Sequence, residues 1–246
     1  MNKSDSPERA ADGTPILRHQ AVSQDFQSPV ETACVDEIEA HMTKYFGKPT
    51  NVFHELVSDK VHIDVHFIPP SKERNQWTLF TTGMSALIMN VPPGADDFEY
   101  AELMISLPPN WNVDALAKSP PPADLERWYW PIRWLKQLAR LPHDYNTWLG
   151  PLHTIPNGDP PRPFSPETRL CGWVLLLPFS VPEEGQSIVL SDGRVVRLYA
   201  LYALYAEEME LKLQHGGQAL LDALAATHAT EVLSLTRKSA KAKKKR

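Results

Sequence analysis

Cysteine is nearly absent: Cys34 and Cys171 are the only two in 246 residues. They stand far apart and outside any metal-ligand or redox spacing. That excludes a disulfide scaffold and a CxxC centre, and fits two buried thiols in a reducing compartment. No apolar run reaches the ~18 residues of a membrane helix. The opening MNKSDSPERAADG lacks the apolar stretch of a secretory signal. A cytoplasmic protein without a membrane span is therefore expected. GxSxG, HExxH and GxGxxG are also missing, and Gly83 has neither the second glycine nor the GK pair of a phosphate loop. No spacing promotes any serine, histidine and aspartate to a catalytic triad. These absences weigh against an enzyme, and no cofactor is expected.

Charge is unevenly placed. The last ten residues, RKSAKAKKKR, hold seven of the 25 basic residues and no acid, which leaves residues 1–236 with 18 basic against 30 acidic side chains. An acidic body argues against a nucleic-acid-binding domain, and only the basic tail suits such a contact. The expected partition is a flexible N-terminal arm (1–27), a folded body (28–236) and a basic disordered tail (237–246). With 42% hydrophobic residues, the body can bury a sizeable core.

The stretch FEYAELMISLPPNW organises the body. Ala101, Leu103, Ile105 and Leu107 alternate with Tyr100, Glu102, Met104 and Ser106, the pattern of a half-buried strand closed by Pro108 and Pro109. Glu102 is expected on an exposed sheet face or satisfied by a partner. Before it, Ser28-Pro29-Val30-Glu31 starts a helix that runs through Cys34, Ile38, Met42 and Tyr45. Val52–Val57, Val61–Ile68 and Trp77–Thr82 read as strands, with a turn at Ser58-Asp59-Lys60. Asp124–Leu141 predicts two helices broken at Pro131. Its crowd of Trp128, Tyr129, Trp130 and Trp134 suits core packing better than base stacking. After a long loop (142–166), Leu170–Leu177 predicts a buried strand, and Ser187–Leu201 a hairpin. Two final helices meet at Gly216-Gly217, with Glu207, Glu208 and Glu210 on the exposed side.

Two places carry chemistry. His62, Asp64 and His66 fall on one face of a predicted strand. Neighbours at i and i+2 lie about 7 Å apart, so they can share a metal only by converging, with His54 or His153 as possible further ligands. The alternative is a polar sheet face of hydrogen-bonded histidines. The second place is the long loop, where Tyr145, Trp148 and His153 sit among Asp144, Asn146 and Thr154, and where long irregular segments often hold function.

VHIDVHFIPP, WTLFTTGMSA, YAELMISLPPNW, WPIRWLKQLARLPHDYNTWLGPLHTIPNG, CGWVLLLP and LYALYAEEMELKLQHGGQALLDAL occur in that order over roughly residues 30–227. In this joint occurrence the chain resembles the suppressor-of-fused family in its bacterial single-domain form. The resemblance implies one α/β domain, a central mixed β-sheet flanked by helices, and a non-enzymatic protein-binding role. Animal relatives hold transcription factors, whereas bacterial relatives look like immunity proteins or antitoxins that neutralise a toxin. It implies partner-binding residues Asp144, Tyr145, Trp148, His153 and Thr154 along the long loop. Leu152 stands where animal members carry an acid, so a different target is expected. The acidic body suits a basic protein partner.

Overall fold

The computed structural model describes residues 8–19, 34–55, 59–117 and 122–240. The expected helix start at Ser28 to Glu31, and residues 56–58 of the predicted first strand and turn, lie outside them. The elements in chain order are α1 (Val35–Tyr45), β1 (Asn51–Phe53), β2 (Asp64–Ile68), β3 (Trp77–Thr82), β4 (Tyr100–Leu107), α2 (Leu125–Asp144), β5 (Thr154–Pro156), β6 (Gly172–Leu176), β7 (Ser187–Val189), β8 (Val195–Leu204) and α3 (Ala206–Ala226).

The alternation of Tyr100–Leu107 produces β4, and the chain is built around it. The strands join in one sheet of order β1-β2-β3-β4-β8-β6-β5, with β7 also paired to β8. β4 and β8 run parallel, and the remaining pairings are antiparallel. The parallel step needs a long crossover, which α2, β5, β6 and β7 provide. β4 is buried on both faces rather than half-buried as its alternation predicts. Ala101, Leu103, Ile105 and Leu107 pack in one apolar cluster with Trp130, Ile132 and Leu135 of α2. Met104 packs in another with Ile38 and Met42 of α1 and Leu220 of α3. Helices therefore cover both sides of the sheet, a three-layer mixed α/β architecture.

Glu102 is the polar exception on β4, with no solvent exposure. It accepts hydrogen bonds from Thr81 Oγ1 (2.6 Å), Gly83 N (3.0 Å), Ser85 N (3.0 Å) and Ser85 Oγ (2.6 Å). The carboxylate thus clamps the exit of β3. Gly83 has φ of 108°, and a Cβ there would stand 1.8 Å from His62 O, so only glycine lets the two segments meet. Burial raises the Glu102 pKa to about 7 against the opposing pull of these donors.

α2 is a single helix with Pro131 and Pro142 inside it, where a break is predicted at Pro131. An interior proline removes one helical hydrogen bond and costs about 3 kcal/mol. Burial of Trp130, Ile132, Leu135 and Leu138 from the same helix offsets that loss. Trp130 stacks on Phe164 (5.1 Å) and Trp173 (5.9 Å), so the aromatic crowd is core. α3 kinks where expected: Gly216 has φ 82° and ψ 173°.

Glu208 is fully buried, not exposed as its neighbours suggest. It caps the start of α3 through Tyr205 N (2.8 Å) and pairs with Arg237 Nη1 (2.6 Å). Ala240 N also donates to it at 2.7 Å. The described residues beyond Thr236 are thus packed on the body. Just before them, Leu233 N donates to Ser106 O (2.8 Å), and Val232 bridges Ser106 in parallel. The C-terminal segment thereby fills the space beyond Met104, where β4 and β8 no longer pair.

Candidate functional site

The long loop begins as α2 ends. Asp144 is its last residue and is exposed, and Tyr145 caps the helix through its N–H to Leu141 O. Thr147 N returns to Pro142 O (2.9 Å), which turns the chain and carries Trp148 away from the helix. Trp148 then meets His153 edge to face, with ring centroids 4.4 Å apart. Gly150 permits this: a Cβ there would stand 2.4 Å from the Trp148 ring. Leu152 takes a left-handed backbone (φ 64°) and donates its N–H to Leu175 O of β6 at 2.8 Å. His153 O accepts from Leu175 N (3.0 Å), which leads directly into β5.

The His153 ring is held neutral. Burial lowers its pKa to about 4, and the Lys212 ammonium of α3 adds repulsion. Lys212 Nζ donates to Thr154 Oγ1 at 3.2 Å. Trp148, His153 and Thr154 therefore form one patch at the start of β5. β5 ends the sheet, and β6 is its only strand partner among the described residues. Tyr145 makes its ring contact elsewhere, with His19 (5.8 Å). Arg18 lies 3.6 Å from Asp159, so residues 18 and 19 touch both ends of the loop. The roles of Arg18, His19 and Lys212 were not legible from the sequence. Each is more than 50 residues away along the chain from the loop residue it touches, and only the fold brings them together.

The histidine strand is sorted differently from its spacing. Asp64 Oδ2 lies 2.9 Å from His54 Nδ1, and Asp64 Oδ1 lies 3.0 Å from His62 Nε2. The donor atoms of these three residues all fall within 4.8 Å of one another. His66 is instead buried and stacked on Phe80 (4.7 Å). Its Nε2 bonds Thr82 Oγ1 (2.9 Å), and its Nδ1 lies 2.9 Å from Glu39 Oε1. His62 and Asp64 therefore converge with His54, while His66 links the sheet to α1.

A family model described as Suppressor of fused protein (SUFU) matches residues 59–238. No curated protein matches the chain. Among solved structures it is similar to a protein described as a SUFU homolog from Neisseria gonorrhoeae FA 1090. The TM-score is 0.60 at 16% identity, over 83% of this chain and 95% of that one. A chain from the Sufu–Fu complex gives a TM-score of 0.57 at 16% identity, over 86% of this chain and 92% of that one. Drosophila Suppressor of Fused gives 0.55 at 16% identity, over 86% of this chain and 51% of that one, so this chain spans about half its length. At this identity the likeness is one of fold. The family match covers well over half of the sequence, and the chain belongs to the suppressor of fused family.

Proposed function

We propose that this protein is a non-enzymatic binding protein that neutralises a basic protein partner by direct contact, as an immunity protein or antitoxin does. The observation that carries the reading is the patch of Trp148, His153 and Thr154 at the outer edge of the sheet. A half-buried tryptophan packed on a neutral histidine is the kind of rigid aromatic anchor that dominates interfaces. β5 ends the sheet, a position where a partner segment can be added beside it. Asp144 and Tyr145 stand outside this patch, at the end of α2. One solved relative is a partner complex, Sufu with Fu, which supports binding as the family's mode of action.

The acidic body favours a cationic target. Residues 1–236 carry 18 basic and 30 acidic side chains, so a basic toxin would be drawn in by the overall field. A regulator that sequesters a transcription factor would use the same surface and differ only in its partner. A metal-dependent enzyme on His62, Asp64 and His66 is disfavoured, because His66 is buried on Phe80 and bonded to Thr82, while His62 and Asp64 converge with His54 instead.

Affinity capture from the host lysate tests the reading. A single basic protein recovered in near-equal amount at low salt, and less at moderate salt, supports it. Recovery of the chain alone at both salt levels would count against it.

A further inference from the structure

We propose that His54, His62 and Asp64 bind one divalent transition-metal ion of the zinc type. The spacing is His-x7-His-x-Asp, with His54 just past β1 and Asp64 the first residue of β2. A regular strand would hold the side chains of His62 and Asp64 about 7 Å apart. Here His62 precedes the strand, and its Nε2 turns to within 3.0 Å of the carboxylate. His54 Nδ1 closes on the other carboxylate oxygen at 2.9 Å.

Zinc bonds of about 2.0–2.2 Å in a tetrahedron require donors about 3.3 Å apart. The two His–Asp64 spacings, each to a different carboxylate oxygen, need to open by a few tenths of an ångström, and the three donors, which lie within 4.8 Å of one another, need to draw in by up to about 1.5 Å. Each imidazole then offers a lone pair in place of the contact it now makes with Asp64. Asp64 is already oriented, because Glu55 N donates to its Oδ1 at 3.1 Å. The nearest cation of α2, Lys136, is offset by Glu55 at 3.2 Å, and Arg140 pairs with the same carboxylate. Side-chain exposure rises from 16% at Asp64 to 38% at His62 and 68% at His54, so the ion has an open approach. The open side leaves a coordination position for water. Two imidazoles and one carboxylate suit zinc and its neighbours, whereas magnesium and calcium take oxygen ligands.

The ion would tie the end of β1 to the start of β2. This inference stands apart from the partner-binding surface. Untagged full-length protein, stripped with chelator, is titrated with zinc and separately with magnesium by calorimetry. The expected result is one zinc per chain and no magnesium heat. His54→Ala and Asp64→Asn should each weaken zinc binding by at least about tenfold, since even outer-shell changes cost 10- to 100-fold. Zinc should also raise the melting temperature of the parent and not that of His54→Ala. His54 is exposed, so its removal leaves the fold intact. No saturable zinc binding, or equal affinity in His54→Ala, overturns the proposal.

Discussion

Glu102 and His153 show how burial sets the chemistry of single residues in opposite directions. The Glu102 pKa is raised from 4.5 to about 7. Between those values the folded chain holds a proton that the unfolded chain has lost. Its contribution to stability is therefore full below pH 4.5 and falls as pH rises through about 7. His153, lowered from 6.5 to about 4, works the other way: its contribution is present above pH 6.5 and is lost on acidification. The two limbs overlap, so the Glu102 limb is isolated by difference. Glu102→Gln keeps an acceptor for Gly83 and Ser85 but does not titrate. Between about pH 5.5 and 8 the parent should lose about 2 kcal/mol more stability than this variant, measured by urea unfolding. Parallel pH profiles would show that Glu102 does not titrate in this range. Glu102 was visible in the sequence as the odd residue of an alternating strand. Its donors were not, because Thr81, Gly83 and Ser85 reach it only through the pairing of β3 with β4.

At the scale of elements, a proline and a glycine test how packing overrides local preference. Pro131 occupies the interior of α2, where it forfeits a hydrogen bond. Pro131→Ala restores that bond and gains about 3 kcal/mol of helix propensity, while losing about 0.8 kcal/mol per buried methylene. A net stabilisation of about 1 kcal/mol is expected in urea unfolding; a loss of stability would show that the proline ring matters more as core. Gly216 combines φ 82° with ψ 173°, a region essentially reserved for glycine. A Cβ there would also stand 2.7 Å from Asp12 Oδ2. Gly216→Ala should cost about 1–3 kcal/mol. The kink was legible because Gly216-Gly217 interrupts a helical pattern. The continuity of α2 was not, because the compensating contacts of Trp130 with Phe164 and Trp173 lie outside the helix. Burial of Glu208 escaped for the same reason: its partner Arg237 is 29 residues further on, in what charge alone marks as tail.

At the scale of the whole molecule, period and turn residues announced most of the strands but not β5, which lies inside the stretch read as a long loop; the mixed α/β class came from the family resemblance, and the order of strands depended on contacts between distant segments. The burial of β4 on both faces follows from its central position between β3 and β8, which alternation alone does not encode. Asp144, Tyr145, Trp148, His153 and Thr154 lie along one loop, yet only the last three form a patch. The acidic body predicts that partner association slows as salt rises, with dissociation less affected; stopped-flow or surface-plasmon measurements of the captured complex would show this, and a salt-independent on-rate would contradict steering. The central claim is that the surface at β5 holds a protein partner. The most direct measurement is a side-by-side capture from host lysate with the parent and with Trp148→Ala, after checking that the two melt alike. The account predicts that the parent retains a stoichiometric partner and that Trp148→Ala loses most of it. Equal retention by a properly folded Trp148→Ala would contradict the account.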